Sequence, residues 1–192
     1  MKKLFFGIML SVLITGLSGA ALAAEKSYMP TFDVKLNGVS FESEYRQFPF
    51  MVYNDITYVP MTYYDCRHLG LDTVWDSDTR TLYINKCDVI CVYRDYGCDW
   101  KNGDTFAPEI CSLNIVVNGK TIDNSAEEYP LLTYMGITYF PLTWRFAVEE
   151  FGWESSFTEE DGLVINSDNY KTHVIDLVNV SGTVAFDEDY YY

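Results

Sequence analysis

Histidine is nearly absent, the chain having only His68 and His173. There is also no His-Glu-x-x-His run, no Gly-x-Ser-x-Gly elbow and no glycine-rich phosphate loop, which removes the short motifs of zinc hydrolases, serine hydrolases and nucleotide enzymes. Basic residues are scarce, 13 against 28 acidic ones, for a formal charge of −15. A chain of that sign is repelled by phosphate backbones and anionic lipid, so no nucleic acid is expected as a partner. Long apolar runs are missing apart from one at the N-terminus. No later segment reaches the roughly 20 apolar residues that a bilayer span takes.

The N-terminal run has two lysines, an apolar stretch over about residues 4–17, and small residues ending in Ala21-Leu22-Ala23. This is the pattern of a secretory signal peptide over 1–23, cut after Ala23. No lipoprotein-type cysteine follows it, so a secreted, extracytoplasmic protein with no stable membrane insertion is expected. Cleavage would take Lys2 and Lys3 from the 13 basic residues, leaving 11 against 28 and a charge of −17. The chain is 48% hydrophobic, with 16 tyrosines and 12 phenylalanines, enough for one compact domain or two small lobes.

The most informative feature is an internal copy. Residues 53–62, YNDITYVPMT, return eighty-one positions later at 134–143 as YMGITYFPLT. Six of the ten positions are identical, and a repeat is read before any local assignment. The same offset matches Asn37-Gly38 with Asn118-Gly119, Pro49 with Pro130, and Leu82, Ile84 and Asn85 with Leu163, Ile165 and Asn166. Only the segment after the prolines slips by one residue, so that Gly70 matches Gly152.

Within each copy the same local signals recur. Asn-Gly suits the positive φ of a tight hairpin turn, so strands are expected over 33–36 and 39–41, with a further strand over 48–53. Asn54-Asp55 turns the chain into 56–59, where Ile56 and Tyr58 face one side and Thr57 and Val59 the other. Pro60 ends that strand, having no N–H for the ladder. Thr62 then caps a helix over 63–69, with Asp65 at its third position and Gly70 as its stop. Two turns of helix do not stand alone in water, so Leu69, Leu71 and Trp75 are expected to pin it to the sheet. Strands over 73–76 and 81–85 complete the unit. In the second copy Thr143 caps a helix over 144–151. Apolar strands are expected after each copy, at 87–93 and 173–178.

The expectation is an α+β fold of two related β-rich repeats, antiparallel sheets each packed by a short helix. The repeats span 33–94 and 113–178, a cysteine-containing loop joins them at 95–112, and an acidic, tyrosine-rich tail follows at 179–192.

The order Asn-Gly, ITYVP or ITYFP, short helix, Leu-Gly or Phe-Gly, then tryptophan resembles the copper amine oxidase N-terminal-like, or stalk, domain of secreted bacterial proteins. Thr62 and Thr143 stand where that family usually has arginine. The resemblance implies a non-catalytic extracytoplasmic module rather than copper chemistry. A type-2 copper site takes three histidines, and the oxidase cofactor motif is absent, since Asn169-Tyr170 is followed by Lys171.

Five cysteines remain to be placed. Cys66 aligns with Ala147, which favours a free, buried thiol. Cys87, Cys91, Cys98 and Cys111 admit three pairings. With 87–93 extended, Cys87 and Cys91 would lie about 13 Å apart, beyond the roughly 7 Å limit for a bridge. That leaves Cys87–Cys111 with Cys91–Cys98, or the crossed alternative. The spacings match no zinc pattern, and neither a metal nor another cofactor is expected. Acid pairs such as Glu149/Glu150 splay apart as neighbours and read as solvated surface.

The function expected is extracellular binding, adhesion or scaffolding without catalysis, with a cell-envelope protein or polysaccharide as partner. Tyr63, Tyr64 and Trp144, at the helix starts, are the aromatics least explained by a core and face a ligand in that reading. The alternative is a small secreted hydrolase or glycan-binding protein whose site has no known motif.

Overall fold

The computed structural model describes residues 26–87 and 89–167. The expected signal peptide over 1–23, His173, the expected strand at 173–178 and the expected tail at 179–192 fall outside the described residues. The chain runs through β1 (Ser27–Tyr28), β2 (Val34–Leu36), β3 (Val39–Phe41), a 3-10 turn (Ser43–Tyr45), β4 (Met51–Tyr53), β5 (Ile56–Pro60) and helix α1 (Tyr63–His68). It continues through β6 (Leu71–Asp76), β7 (Thr81–Lys86), β8 (Thr105–Phe106), β9 (Glu109–Ile110), β10 (Asn114–Val117), β11 (Lys120–Ile122), β12 (Leu132–Tyr134) and β13 (Ile137–Pro141). A second helix (Trp144–Glu150), β14 (Glu154–Thr158) and β15 (Gly162–Asn166) follow.

The turns carry the left-handed residues that their sequences announce. Asn37-Gly38 and Asn118-Gly119 have φ of 47° and 79°, and 48° and 77°. Asn54-Asp55 and Met135-Gly136 are left-handed as well, which folds β4 on β5 and β12 on β13.

The two ten-residue motifs meet at the centre of a seven-stranded sheet ordered β8-β1-β4-β5-β13-β12-β9. Val59 lies opposite Phe140, Tyr58 opposite Pro141 and Pro60 opposite Tyr139. Equivalent residues are thus interchanged about the Val59–Phe140 pair. Just past the strand ends, Met61 N–H donates to Thr138 O at 2.8 Å and Leu142 N–H to Thr57 O at 2.9 Å, again an equivalent pair. Strand alternation sends Tyr58 and Tyr139 into a small aromatic core with Met51, Tyr53, Phe106 and Leu132. Val59 and Phe140 enter the larger core on the other face, with Cys66 and Leu69 of α1, Phe146, Ala147 and Phe151 of the second helix, and residues of the flanking sheets.

Three expectations are corrected here. The sheets are not all antiparallel: β10 runs parallel to β7 and β15 parallel to β2. The two four-stranded sheets, β11-β10-β7-β6 and β14-β15-β2-β3, each take one hairpin from 33–94 and one from 113–166. A helix is therefore not packed on a sheet of its own; both helices share one core. Secondly, Cys87 and residues 89–93 form no strand. Thirdly, Trp75 is 51% exposed on the edge strand β6, while Leu69 and Leu71 are buried as expected. The buried tryptophan is Trp153, which follows Gly152 as Leu71 follows Gly70 and donates its indole N–H to Leu69 O at 3.0 Å.

The one-residue slip has a structural outcome. The second helix is wound as a π-helix, with Phe151 N–H donating to Phe146 O, five residues back. The extra residue is absorbed in a wider turn, as single insertions into helices are.

Candidate functional site

A cleft of about 490 Å³ lies between the β3 hairpin and the connecting loop. One wall is Ser40, Phe41 and Glu42 at the end of β3, with Tyr45 of the 3-10 turn; the other is Tyr93, Asp95, Gly97, Cys98 and Asp99. The second wall belongs largely to the connecting loop, which is strapped to the first. Gln47 N–H donates to Tyr96 O and Cys98 N–H to Tyr45 O, both at 2.8 Å, and Arg46 and Gly97 form a β-bridge. Asn102 holds the far end: its side chain donates to Ser43 O at 2.9 Å and Arg46 O at 2.7 Å, and its N–H to Glu44 O at 2.7 Å. These bonds satisfy carbonyls that so short a turn cannot satisfy itself.

Beneath the cleft lies a buried ion pair. Arg46 Nη2 donates to Asp65 Oδ1 at 2.5 Å and Nη1 to Phe48 O at 3.0 Å. Its guanidinium stands 4.9 Å from the Phe41 ring centre and 5.2 Å from that of Phe50. Thr62 accepts the Asp65 N–H at 3.3 Å, the cap expected from the sequence, and Asp65 accepts the Thr62 hydroxyl at 2.6 Å rather than the backbone N–H of a capping box. Burial works against the Arg46 charge, but Asp65 and Tyr93 outweigh it and hold the guanidinium pKa above its ordinary value. Burial also lifts the Tyr93 hydroxyl well above the usual phenol range, so it stays protonated and donates to Asp95 Oδ1 at 2.9 Å.

The surface of the cleft is therefore three aromatic rings with Glu42, Asp95 and Asp99, all three acids exposed, and no lysine or arginine in the lining. Chemically it suits a cation carrying an apolar stem: the carboxylates attract the charge and the Tyr45 and Tyr93 rings accept the stem, the Phe41 ring being already packed by Arg46.

The aromatics singled out from the sequence fall in two places. Tyr63 is exposed and packs edge-on against Tyr64 at 5.4 Å, and Tyr64 lies 5.4 Å from Tyr96. Arg94 covers Tyr64, its guanidinium 5.3 Å from the ring centre and Nη1 donating to the hydroxyl at 3.0 Å. Trp144, 70% exposed, starts the second helix, which leaves the Val59–Phe140 crossing in the opposite direction from α1. His68 faces two backbone oxygens, with Nε2 3.1 Å from Leu36 O and Nδ1 3.3 Å from Cys91 O. It is thereby committed to packing.

No disulfide is formed among the described residues, so neither Cys87–Cys111 with Cys91–Cys98 nor its crossed alternative is present. Cys66 is buried, and desolvation raises its thiol pKa well above the ordinary value. Among the described residues no three His, Cys, Asp or Glu side chains are grouped to hold a metal ion. The sequence reading missed the cleft itself. Its available signal was the alternation of acids and rings at Tyr93, Asp95, Tyr96 and Asp99, set against a hairpin ending in Phe41-Glu42.

No protein-family profile, curated protein or solved structure matches the chain.

Proposed function

We propose a non-enzymatic binding module that works outside the cell, built of two related stalk-type units, with the acidic, aromatic cleft as its ligand site. The matched registers about Val59 and Phe140 support the two-unit reading, as do the equivalent parallel pairings Leu82–Ile115 with Ile84–Val117 and Leu163–Val34 with Ile165–Leu36. The observation that carries the binding function is the set of three exposed carboxylates around Phe41, Tyr45 and Tyr93 with no cation in the lining. A lysine or arginine side chain of a cell-envelope protein has the matching charge and stem.

Titration calorimetry of the full chain with an oligolysine peptide, against an oligoglutamate control, tests this. Binding that weakens roughly tenfold in Glu42→Gln/Asp95→Asn, and weakens further with salt, is expected. Equal response to both peptides, or no loss in the double variant, removes the cleft as the site.

Three carboxylates lining one cleft also raise a second reading, a small glycoside hydrolase. That chemistry takes one carboxyl kept protonated by burial opposite an ionised partner, and Glu42, Asp95 and Asp99 are all exposed. Turnover of chromogenic glycosides that disappears in the same double variant would replace binding by hydrolysis. For a glycan ligand the Tyr63–Tyr64–Tyr96 group is the platform, and wall-polysaccharide pulldowns with Tyr63→Ala are the check.

A further inference from the structure

Among the described residues β6 is bonded on one side only, to β7, and it is the longest edge strand of the two small sheets. Its outward groups follow from one rung of the ladder. Cys87 N–H donates to Gly70 O at 2.9 Å, continuing the register that sets Leu71 opposite Lys86. Bonded and non-bonded pairs alternate in an antiparallel ladder, so Asp72, Val74 and Asp76 bond to β7 while Thr73 and Trp75 turn their N–H and C=O groups away from it. Two donors and two acceptors therefore stand along an open edge, roughly 7 Å apart. The side chains are open as well. Val74 and Trp75, on opposite faces of the strand, are both exposed, whereas the edge aromatic of the other small sheet, Phe157 on β14, is packed edge-on by Phe32 at 5.1 Å.

Charge decides the occupant. Asp72 and Asp76 lie two residues to either side of Val74, on its face of the strand. Asp72 is shared with Arg67 at 3.2 Å, while Asp76 keeps its charge, the Thr79 hydroxyl and the Thr79 and Asp78 N–H groups holding its pKa below the ordinary value. A second copy paired so that Val74 meets Val74 would set Asp72 opposite Asp76 twice, and like charges directly opposite are destabilising. The whole chain, with 28 acidic against 13 basic residues, likewise repels a copy and attracts a basic partner. We propose that the open edge of β6 docks an extended, antiparallel segment of a basic partner protein, with a lysine or arginine on either side of an apolar residue, as a fifth strand of the sheet β11-β10-β7-β6. The apolar residue lies opposite Val74 and the two cations opposite Asp72 and Asp76, while the partner backbone bonds to Thr73 and Trp75. This surface is separate from the cleft and does not depend on it.

The probe is a blocked heptapeptide, Thr-Lys-Tyr-Val-Thr-Lys-Thr, titrated into the full chain by calorimetry and followed by amide hydrogen exchange. Saturable binding is expected, with exchange of the Thr73 and Trp75 amides slowed about tenfold or more. Methylating the peptide nitrogens of the two residues flanking its valine removes the backbone bonds and leaves every side chain in place, so affinity should fall roughly tenfold. Val74→Lys, an exposed change that sets a third cation between the two lysines, should weaken binding by about as much or more. The Glu42→Gln/Asp95→Asn variant should bind this peptide as wild type does. No binding, binding without protection at Thr73 and Trp75, equal binding by the methylated peptide, or a loss in the cleft variant in place of Val74→Lys each overturns the proposal. The methylated peptide needs no variant, so the result does not depend on a mutant folding.

Discussion

Asn37 and Asn118 do the same work in two places. Asn37 Nδ2 donates to His68 O at 2.6 Å, and its Oδ1 accepts the Ser167 N–H at 2.9 Å. Asn118 Nδ2 donates to Glu150 O at 2.7 Å, and its Oδ1 accepts the Lys86 N–H at 2.8 Å. Each thus joins a left-handed turn, a helix end and a strand end. Asn37→Ala loses those bonds and the αL preference together, so a loss of about 2–3 kcal/mol is expected by urea denaturation. Asn118→Ala is expected to cost less, its site being more open. Gly162, at φ 69°, admits no side chain: an added Cβ would stand 2.1 Å from Asp33 O. Gly162→Ala is therefore expected to yield little soluble protein.

Glu150 brings pH into the same neighbourhood. Its burial favours the neutral acid, but bonds from Lys120 and Asn118 outweigh that and lower the pKa below the ordinary 4.5. A depressed carboxyl contributes stability that is complete above the ordinary value and fades as pH falls through the lowered one. The difference in Tm between wild type and Glu150→Gln should be largest above the ordinary value of 4.5 and shrink as pH falls below it. A difference that grows on acidification would reverse the assignment.

At the scale of elements, the two capping threonines match in sequence but not in structure, because Phe146 stands where the first helix has Asp65. Thr62 both accepts from the Asp65 N–H and donates to its carboxylate, which also holds Arg46. Thr143 makes one long contact, accepting the Phe146 N–H at 3.5 Å. Thr62→Ala is accordingly expected to cost about 1–2 kcal/mol, and Thr143→Ala less than about 1 kcal/mol, by thermal melts of the two variants. Asp65→Ala goes further, leaving the Arg46 charge buried and unpaired. A loss of about 3–5 kcal/mol is expected, with the cleft wall at Phe41 released.

Across the whole molecule, the exchange of hairpins ties the two ends of the described chain together. Strand β15 pairs with β2, and β10 with β7, so each small sheet is incomplete without residues from both sides of the connecting loop. The larger core likewise draws on both helices. Unfolding should follow as one cooperative step. Calorimetry giving a single peak with equal calorimetric and van't Hoff enthalpies is the expected outcome; two separated peaks would mean that the sheets melt as independent lobes.

The local chemistry of the chain was legible without coordinates. Asn-Gly dictates a left-handed turn, alternation splits Tyr58 from Val59, Pro60 closes a strand, and Thr62 with Asp65 caps a helix, because each is settled by contacts within a few residues. What the tertiary structure alone decided was partnership at long range. Hydrophobic period cannot say whether β2 pairs with its near neighbour β7 or with the distant β15, since either choice buries the same apolar face. Nor could it place the residues after β7, whose apolar character suggested a strand but whose backbone bonds go to a helix end. That choice set the positions of Cys87, Cys91 and Tyr93, and with them the wall of the cleft. Short-range sterics and hydrogen bonding wrote the elements; the competition between distant surfaces for burial assembled the site.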